Sequence, residues 1–263
     1  MNLEKPKFPL ASSLAQEGKN FDVLLWIGCA GYFDARYKRV MYAIAQILEI
    51  AQISYAILGS EETCSGDPAR RAGNEFLFQM QAHQNIQTFS HYGVKKIVAA
   101  CPHCFNTLKN EYPELGGKYQ VVHHTEYIQE LLQSGRVRLK ETGDFKGEKI
   151  TYHDSCYLGR ANQVYEIPRQ ILEALDAELV EMSRNRKCGL CCGAGGAQMF
   201  KEPEKGKTDI NHERTKEAIQ TQAKTIAVAC PFCMTMMTDG VKKFEKENEI
   251  KVLDIAEIVL KHV

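Results

Sequence analysis

Ten cysteines stand in a chain of 263 residues that holds a single tryptophan. A thiolate can ligate zinc, hold an iron–sulfur cluster or exchange disulfides, and spacing is what separates these chemistries. Here the spacing repeats. KKIVAACPHC at 95–104 recurs as KTIAVACPFC at 224–233, and both place Cys-Pro-x-Cys at the end of an apolar run. VLLWIGCAG (23–31) is matched by ITYHDSCYLG (150–159), and ETCSGDPARR (62–71) by GLCCGAGGAQ (189–198). From Cys29 the steps are +35 to Cys64, +37 to Cys101 and +3 to Cys104. From Cys156 they are +35 to Cys191, +39 to Cys230 and +3 to Cys233. Eight cysteines are thereby paired across the repeat. The other two, Cys188 and Cys192, flank Cys191, where the first half has Glu61 and Ser65.

The elements that must position these residues follow from the apolar patterning. Short β-rich runs alternate with longer helical patterns, which signals βαβ units and a parallel sheet. The first half reads as strands near 22–28, 53–58, 95–100 and 119–123, with helices near 34–50, 68–91, 103–112 and 125–134. The second reads as strands near 149–153, 177–182, 224–229 and 251–253, with helices near 161–175, 206–222, 233–247 and 254–261. Asp67 is expected as an N-cap, with Pro68 at the first helical position. The polar stretch 134–149 reads as a linker. The fold expected is α/β: two repeated doubly wound, Rossmann-like parallel-sheet subdomains, 1–140 and 141–263, related by a pseudo-two-fold. Open parallel sheets bind ligands at the carboxyl ends of their strands. Cys29, Cys101, Cys156 and Cys230 fall there, and Cys64 and Cys191 follow a second strand. Cys104 and Cys233 fall in a first helical turn, where the dipole favours thiolate.

Composition narrows the class. Lys+Arg and Asp+Glu are both 33, so formal net charge is zero, which argues against a broad nucleic-acid or anionic-membrane surface. No run of 18 apolar residues occurs; Val40 to Leu58 is broken by Gln46, Glu49 and Gln52. MNLEKPKFPL carries no apolar signal core, so a cytoplasmic protein is expected. Clustered cysteines in a reducing compartment are metal or redox groups more often than disulfides.

Four convergent thiolates suit zinc, an iron–sulfur cluster or each other. Each set draws on three loops spread over about 75 residues, unlike the two local knuckles of a structural zinc site. Adjacent Cys191 and Cys192 are awkward for one tetrahedral ion, whereas a multi-iron cluster can use neighbouring cysteines on different irons. The chemistry therefore favours iron–sulfur in the second half. Cys-x-x-Cys at a helix start is also the form of a dithiol redox motif. GAGGA after Cys192 lacks the Lys-Ser/Thr of a phosphate loop and is expected to let backbone N–H groups approach a cluster. His153 and Asp154 either relay protons at Cys156 or brace its loop. His123 and His124 read as structural, Arg70 and Arg71 as charge balance or a solvated face, and Cys188 as a bystander.

The pattern Cys…Cys-Cys-Gly…Cys-Pro-x-Cys resembles the cysteine-rich CCG domain. EETCSGDPARRAGNEF, CPHCFNTLKNEYP, YHDSCYLGR, GLCCGAGG and CPFCMTMMTDGV resemble the B and D subunits of heterodisulfide reductases and the iron–sulfur oxidoreductases like them, with the lactate-utilisation and glycolate oxidase iron–sulfur subunits as further relatives. The resemblance runs from about Val23 to Val259. It implies a cytoplasmic oxidoreductase subunit, the cysteine-rich part standing alone, that carries electrons to a disulfide or quinone-linked acceptor. It implies a [4Fe–4S] cluster, noncubane in the reductases, on Cys156, Cys191, Cys192, Cys230 and Cys233. Cys29, Cys64, Cys101 and Cys104, with Ser65 in place of a fifth thiol, suit a [4Fe–4S] cluster or zinc. Cys192 and His153 are the catalytic candidates. The implied partners are a ferredoxin-like iron–sulfur subunit or a flavoprotein, with association to a membrane complex but no span and no nucleic acid. The alternatives are a structural zinc subunit of a redox complex and a metal-free thiol–disulfide oxidoreductase.

Overall fold

The computed structural model describes residues 8–140, 143–202 and 205–263. Residues 1–7, read above for a signal core, and positions 141 and 142 of the linker stretch lie outside them. The chain divides into two units, Met1–Arg138 and Leu139–Val263.

Apolar runs that are buried on both faces make parallel strands. In the first unit these are β1 (Val23–Trp26), β2 (Tyr55–Ala56), β3 (Lys96–Ala99) and β4 (Gln120–His123), in the order β2-β1-β3-β4. In the second they are β5 (Lys149–Tyr152), β6 (Glu178–Leu179), β7 (Thr225–Val228) and β8 (Lys251–Asp254), in the order β6-β5-β7-β8. The registers correspond: Leu25 lies beside Val98 as Tyr152 lies beside Ala227. Each unit is thus an α/β, Rossmann-like repeat. Strand order reverses between β1 and β3, and again between β5 and β7, which opens a ligand crevice at their carboxyl ends. The expected strands 53–58 and 177–182 shrink to two residues each, at one edge of each sheet.

Several expected helices are broken, each for a local reason. The helix expected over 34–50 begins at Tyr37, because Asp34 Oδ1 accepts from the N–H groups of Arg36 (2.7 Å) and Tyr37 (3.2 Å). The segment before it forms its own turn, Gly28–Phe33. The helix expected over 68–91 splits into Asp67–Arg71 and Glu75–His91. Gly73 between them takes φ +88°, and Asn74 caps the second piece by accepting from Leu77 N–H at 3.0 Å. Asp67 is not the N-cap: Gly66 is, and the Asp67 carboxylate instead meets Arg71 (3.1 Å) and His103 (3.0 Å). The segment expected as a helix over 103–112 runs as Pro102–Asn106, a π-turn Thr107–Glu111 and a 3₁₀ turn Tyr112–Leu115. The expected 161–175 becomes Cys156–Gly159 and Glu166–Ala174.

The helices Ile210–Gln220 and Pro231–Lys243 pack closely at Gly240, where an added Cβ would collide with Thr215 Oγ1 and lie 3.2 Å from the Asn211 carbonyl. This contact sets how near the first helix comes to the helix bearing Cys233. Gly240→Ala is expected to destabilise the protein by about 1–3 kcal/mol through overpacking. Denaturant unfolding of G240A with an unchanged midpoint would contradict this close contact.

Candidate metal centre

The second unit gathers its cysteines from three segments at one sheet edge. The His153 N–H continues the β5–β7 ladder by donating to the Ala227 carbonyl at 2.9 Å. Cys156 opens the helix Cys156–Gly159. Cys230 is the N-cap of Pro231–Lys243, and Cys233 stands in its first turn. Cys191 and Cys192 come from the loop after β6. Cys156 Sγ lies 4.0 Å from Cys191 Sγ, and Cys233 Sγ lies 3.5 Å from Cys192 Sγ. A ring nitrogen of His153 and the sulfurs of Cys192 and Cys233 all lie within 4.8 Å of one another, and all three residues are buried. Cys188 is exposed, as a bystander would be.

The first unit repeats this arrangement in detail. Gly66 N–H donates to Cys64 Sγ at 3.5 Å as Gly193 N–H donates to Cys191 Sγ at 3.3 Å. Both glycines sit near φ +90°, at +90° and +93°, where a side chain is strained. Ser65 Oγ meets Cys104 Sγ at 3.4 Å, as Cys192 meets Cys233. Ser65 therefore occupies the place of the second unit's extra thiol. Cys29 pairs with Cys64, and Cys101 is the buried N-cap of Pro102–Asn106.

Sulfur set against sulfur drives thiol acidities apart. Hydrogen bonds from Cys156 and Cys192 hold Cys191 far below the ordinary thiol range, against the opposing effect of burial. Cys156 is pushed up by its bond to Cys191 and by burial, and Cys192 moves up through its bond to Cys191. Cys233 is also pushed up, by Cys192, Cys230 and burial. The helix dipole expected to favour a Cys233 thiolate is outweighed there by these neighbours and by desolvation. In the first unit Cys29 holds Cys64 down to about 7, with Gly66 N–H helping and burial opposing, while the Cys29 thiol is pushed up.

Polar groups that sequence patterning missed hold these loops. Glu62 accepts from the N–H groups of Ile27 (3.1 Å) and Gly28 (2.6 Å), and burial pushes its carboxyl up to about 8. Asn85 accepts from Thr63 Oγ1 at 3.0 Å and donates to the Cys64 carbonyl at 3.1 Å. Tyr112 OH donates to the Ser65 carbonyl at 3.1 Å. In the second unit Arg169 clamps Asp154 at 2.8 and 2.9 Å and Glu181 at 2.6 and 2.9 Å. Arg186 N–H adds a 2.8 Å bond to Asp154, so Asp154 braces the loop. Arg214 Nε donates to His153 Nδ1 at 2.9 Å. Burial and that neighbouring guanidinium lower the His153 imidazole to about 3. His123 caps the helix His124–Gln133 and has a ring nitrogen 3.2 Å from the Ala100 carbonyl, a structural use. Arg70 and Arg71 pair with Glu111.

Cys64, near 7, is the thiol of its pair that ionises at neutral pH. In chain stripped of metal under reducing conditions, iodoacetamide labelling of Cys64 is expected to rise several-fold between about pH 6 and 8 and then level off. Cys29 should stay slow throughout. Peptide mass mapping that finds Cys29 labelled first would reverse the assignment.

A family model described as a cysteine-rich domain, CCG, matches residues 23–109 and 150–238. The EtfAB:quinone oxidoreductase of Syntrophomonas wolfei is 45% identical over 258 residues, 96% of this chain and 36% of that protein. The probable iron-sulfur-binding oxidoreductase FadF of Bacillus subtilis is 45% identical over 98% of this chain and 36% of its own length. The D subunit of the dihydromethanophenazine:CoB–CoM heterodisulfide reductase of Methanosarcina barkeri is 32% identical over 90% of this chain and 58% of its own. The chain thus spans 36% of the length of the first two relatives. Both cysteine sets fall inside the matched residues, and the chain belongs to the cysteine-rich CCG domain family, whose unit it carries twice.

Proposed function

We propose that this chain is an iron–sulfur subunit that carries electrons within an oxidoreductase, passing them to a disulfide or quinone-linked acceptor. The observation that carries the reading is the five-thiol group of Cys156, Cys191, Cys192, Cys230 and Cys233 at one sheet edge, three of them buried. Relatives named as a quinone oxidoreductase, an iron-sulfur-binding oxidoreductase and a heterodisulfide reductase subunit support it. We assign those five residues as ligands of a [4Fe–4S] cluster, of noncubane form. We assign Cys29, Cys64, Cys101 and Cys104 to a second centre, a [4Fe–4S] cluster or zinc.

The donor set fits such a group: soft thiolates, an adjacent cysteine pair that reaches two metal atoms more readily than one, and glycine N–H groups on sulfur. A bound cluster supplies one-electron redox capacity. The chain does the rest. Its thiols give up protons to bind, Gly66 and Gly193 orient Cys64 and Cys191, and the buried Cys192, Cys230 and Cys233 keep water away. Cys192, the thiol that the first set replaces with Ser65, is the catalytic candidate. Electrons must reach the chain from a centre outside it, which points to a ferredoxin-like or flavoprotein partner. Among the described residues no helix is long and apolar enough to cross a membrane.

One observation favours a second reading, a zinc site. The 4.0 and 3.5 Å sulfur separations are close to the edge of a zinc–thiolate tetrahedron, about 3.8 Å for Zn–S bonds of about 2.3 Å. S–H···S hydrogen bonds produce the same spacing without metal, and a tetrahedral ion has no place for a fifth thiol.

Anaerobic purification followed by iron, acid-labile sulfide and zinc analysis separates the readings. Iron and sulfide in near-equal amounts, about four irons per loaded set, are expected. Cys192→Ser should abolish the EPR signal of the second set and spare the first. Zinc without sulfide in both proteins would overturn the redox assignment.

A further inference from the structure

The repeat pairs two side chains that are not cysteines. Trp26 stands three residues before Cys29, and His153 stands three before Cys156. Both lie at the carboxyl end of the first strand of their unit. Both are closed to solvent, at 1% and 0% exposure. Each keeps one buried ring nitrogen without a protein partner: Trp26 Nε1 and His153 Nε2. Burying an N–H unpaired is costly, so an orphan at the same position in both units points to an acceptor that the protein itself does not supply.

Both side chains neighbour the same cysteine of the repeat. A Cβ built on Gly28 would lie 3.6 Å from Trp26 Nε1 and 3.6 Å from Cys104 Sγ, so the indole and the sulfur flank one small gap. In the second unit a His153 ring nitrogen is grouped within 4.8 Å with the sulfurs of Cys192 and Cys233, and Cys233 is the counterpart of Cys104.

An indole nitrogen can only donate. A histidine nitrogen could donate, ligate or relay, and here Arg214 decides. Its Nε–H donates to His153 Nδ1 at 2.9 Å. A guanidinium has no acceptor, so Nδ1 must carry the lone pair and the neutral ring's proton sits on Nε2. Ligating a metal through Nε2 would then require an imidazolate, and a relay through Nδ1 is closed by the guanidinium. Arg214 is held in turn by the Arg184 carbonyl at 2.7 Å and Glu217 at 2.6 Å, and is fully buried.

We infer that Trp26 Nε1–H and His153 Nε2–H are one duplicated device: fixed N–H donors to the sulfur of the group bound by each cysteine set, with Arg214 as the positioning residue that locks the histidine tautomer. The inference rests on the iron–sulfur reading for the identity of the acceptor. N–H···S bonds stabilise the more negative, reduced state and raise its potential.

The test uses variants that each remove one N–H donor. His153→Asn leaves an amide oxygen to accept from Arg214 and removes the Nε2 donor; Trp26→Phe keeps the ring and removes the N–H. In EPR-monitored redox titrations of anaerobically purified protein, H153N should disfavour reduction of the second centre about tenfold, about 59 mV for one electron. The first centre should stay put. W26F should disfavour reduction of the first centre by a similar factor and leave the second in place. Unmoved potentials at unchanged iron and sulfide content would overturn the inference. Long-range ¹H–¹⁵N spectra of the metal-stripped chain test the tautomer without any cluster. The wild type should show His153 protonated on Nε2, and Arg214→Met should populate the Nδ1–H form. A proton on Nδ1 in the wild type would refute the lock. If no iron loads, the electron-carrying reading fails by itself, and the spectra still judge the donor.

Discussion

In each unit the site depends on one backbone pairing, that of the first strand with the third. Neighbouring strands lie about 4.8 Å apart. β1 beside β3 therefore sets the residues after Trp26 next to those after Ala99, although more than 70 positions separate Cys29 from Cys101. β5 beside β7 does the same for Cys156 and Cys230. Because the pairing is parallel, both carboxyl ends face the same edge, and the crossover order sends the intervening chain to opposite sides of the crevice. A one-residue slip in either register would turn Trp26 or His153 to the other face of its sheet and break the sulfur group.

On this common frame the two units differ in how they hold the cysteine loops. The first holds the backbone of Cys64 and Ser65 with the neutral Asn85 and Tyr112 and sets the Glu62 carboxyl on two N–H groups, and its ion pairs, Asp67 with Arg71 and Arg71 with Glu111, lie beyond Gly66. The second holds its strand end with ions, the buried Asp154 and the half-buried Glu181 clamped by Arg169, and Arg214 set between His153 and Glu217. Buried ion pairs are poor evidence of stability, since desolvation offsets their attraction. Their geometry is directional, however, and Arg169 fixes the loop from β5 to Cys156 through bidentate contacts. The unit with five thiols is the one in which the strand end is held by ionic forks.

Much of this was legible in the sequence. Apolar runs marked all eight strands, and the spacing of the cysteines marked both sets and the place of Ser65. That part is local: periodicity and short motifs report on neighbours in the chain. What stayed hidden depends on partners far apart. Nothing in the pattern of residues 206–222 distinguishes Arg214 from other helix positions, yet it meets His153 across 61 residues. Asn85 lies mid-helix and reaches back 21 residues to Cys64. The Asp67-Pro68 signature promised a cap, and the third dimension redirected the carboxylate to His103 and Arg71. Helix dipoles promised a thiolate at Cys233, and the sulfur packed against it outweighed the dipole.

These asymmetries carry through to the field at each sulfur group. Five thiols in a largely buried patch cannot all ionise unaided, because unpaired buried charge is expensive. Cys191 is held far below the thiol range, and its neighbours donate to it. A cationic group that claims all five must displace those protons, and the fixed charges around it set how favourable that is. Near the second set stands a guanidinium, Arg214, reached through the neutral ring of His153. The first set has an indole at that position and the Glu62 carboxyl on the loop before Cys64. Negative charge added at the second set is met by a cation, and at the first by an acid that burial has already pushed up to about 8. The two cysteine sets of a duplicated frame thereby stand in unlike electrostatic surroundings, and any charge placed on one is met differently from charge placed on the other.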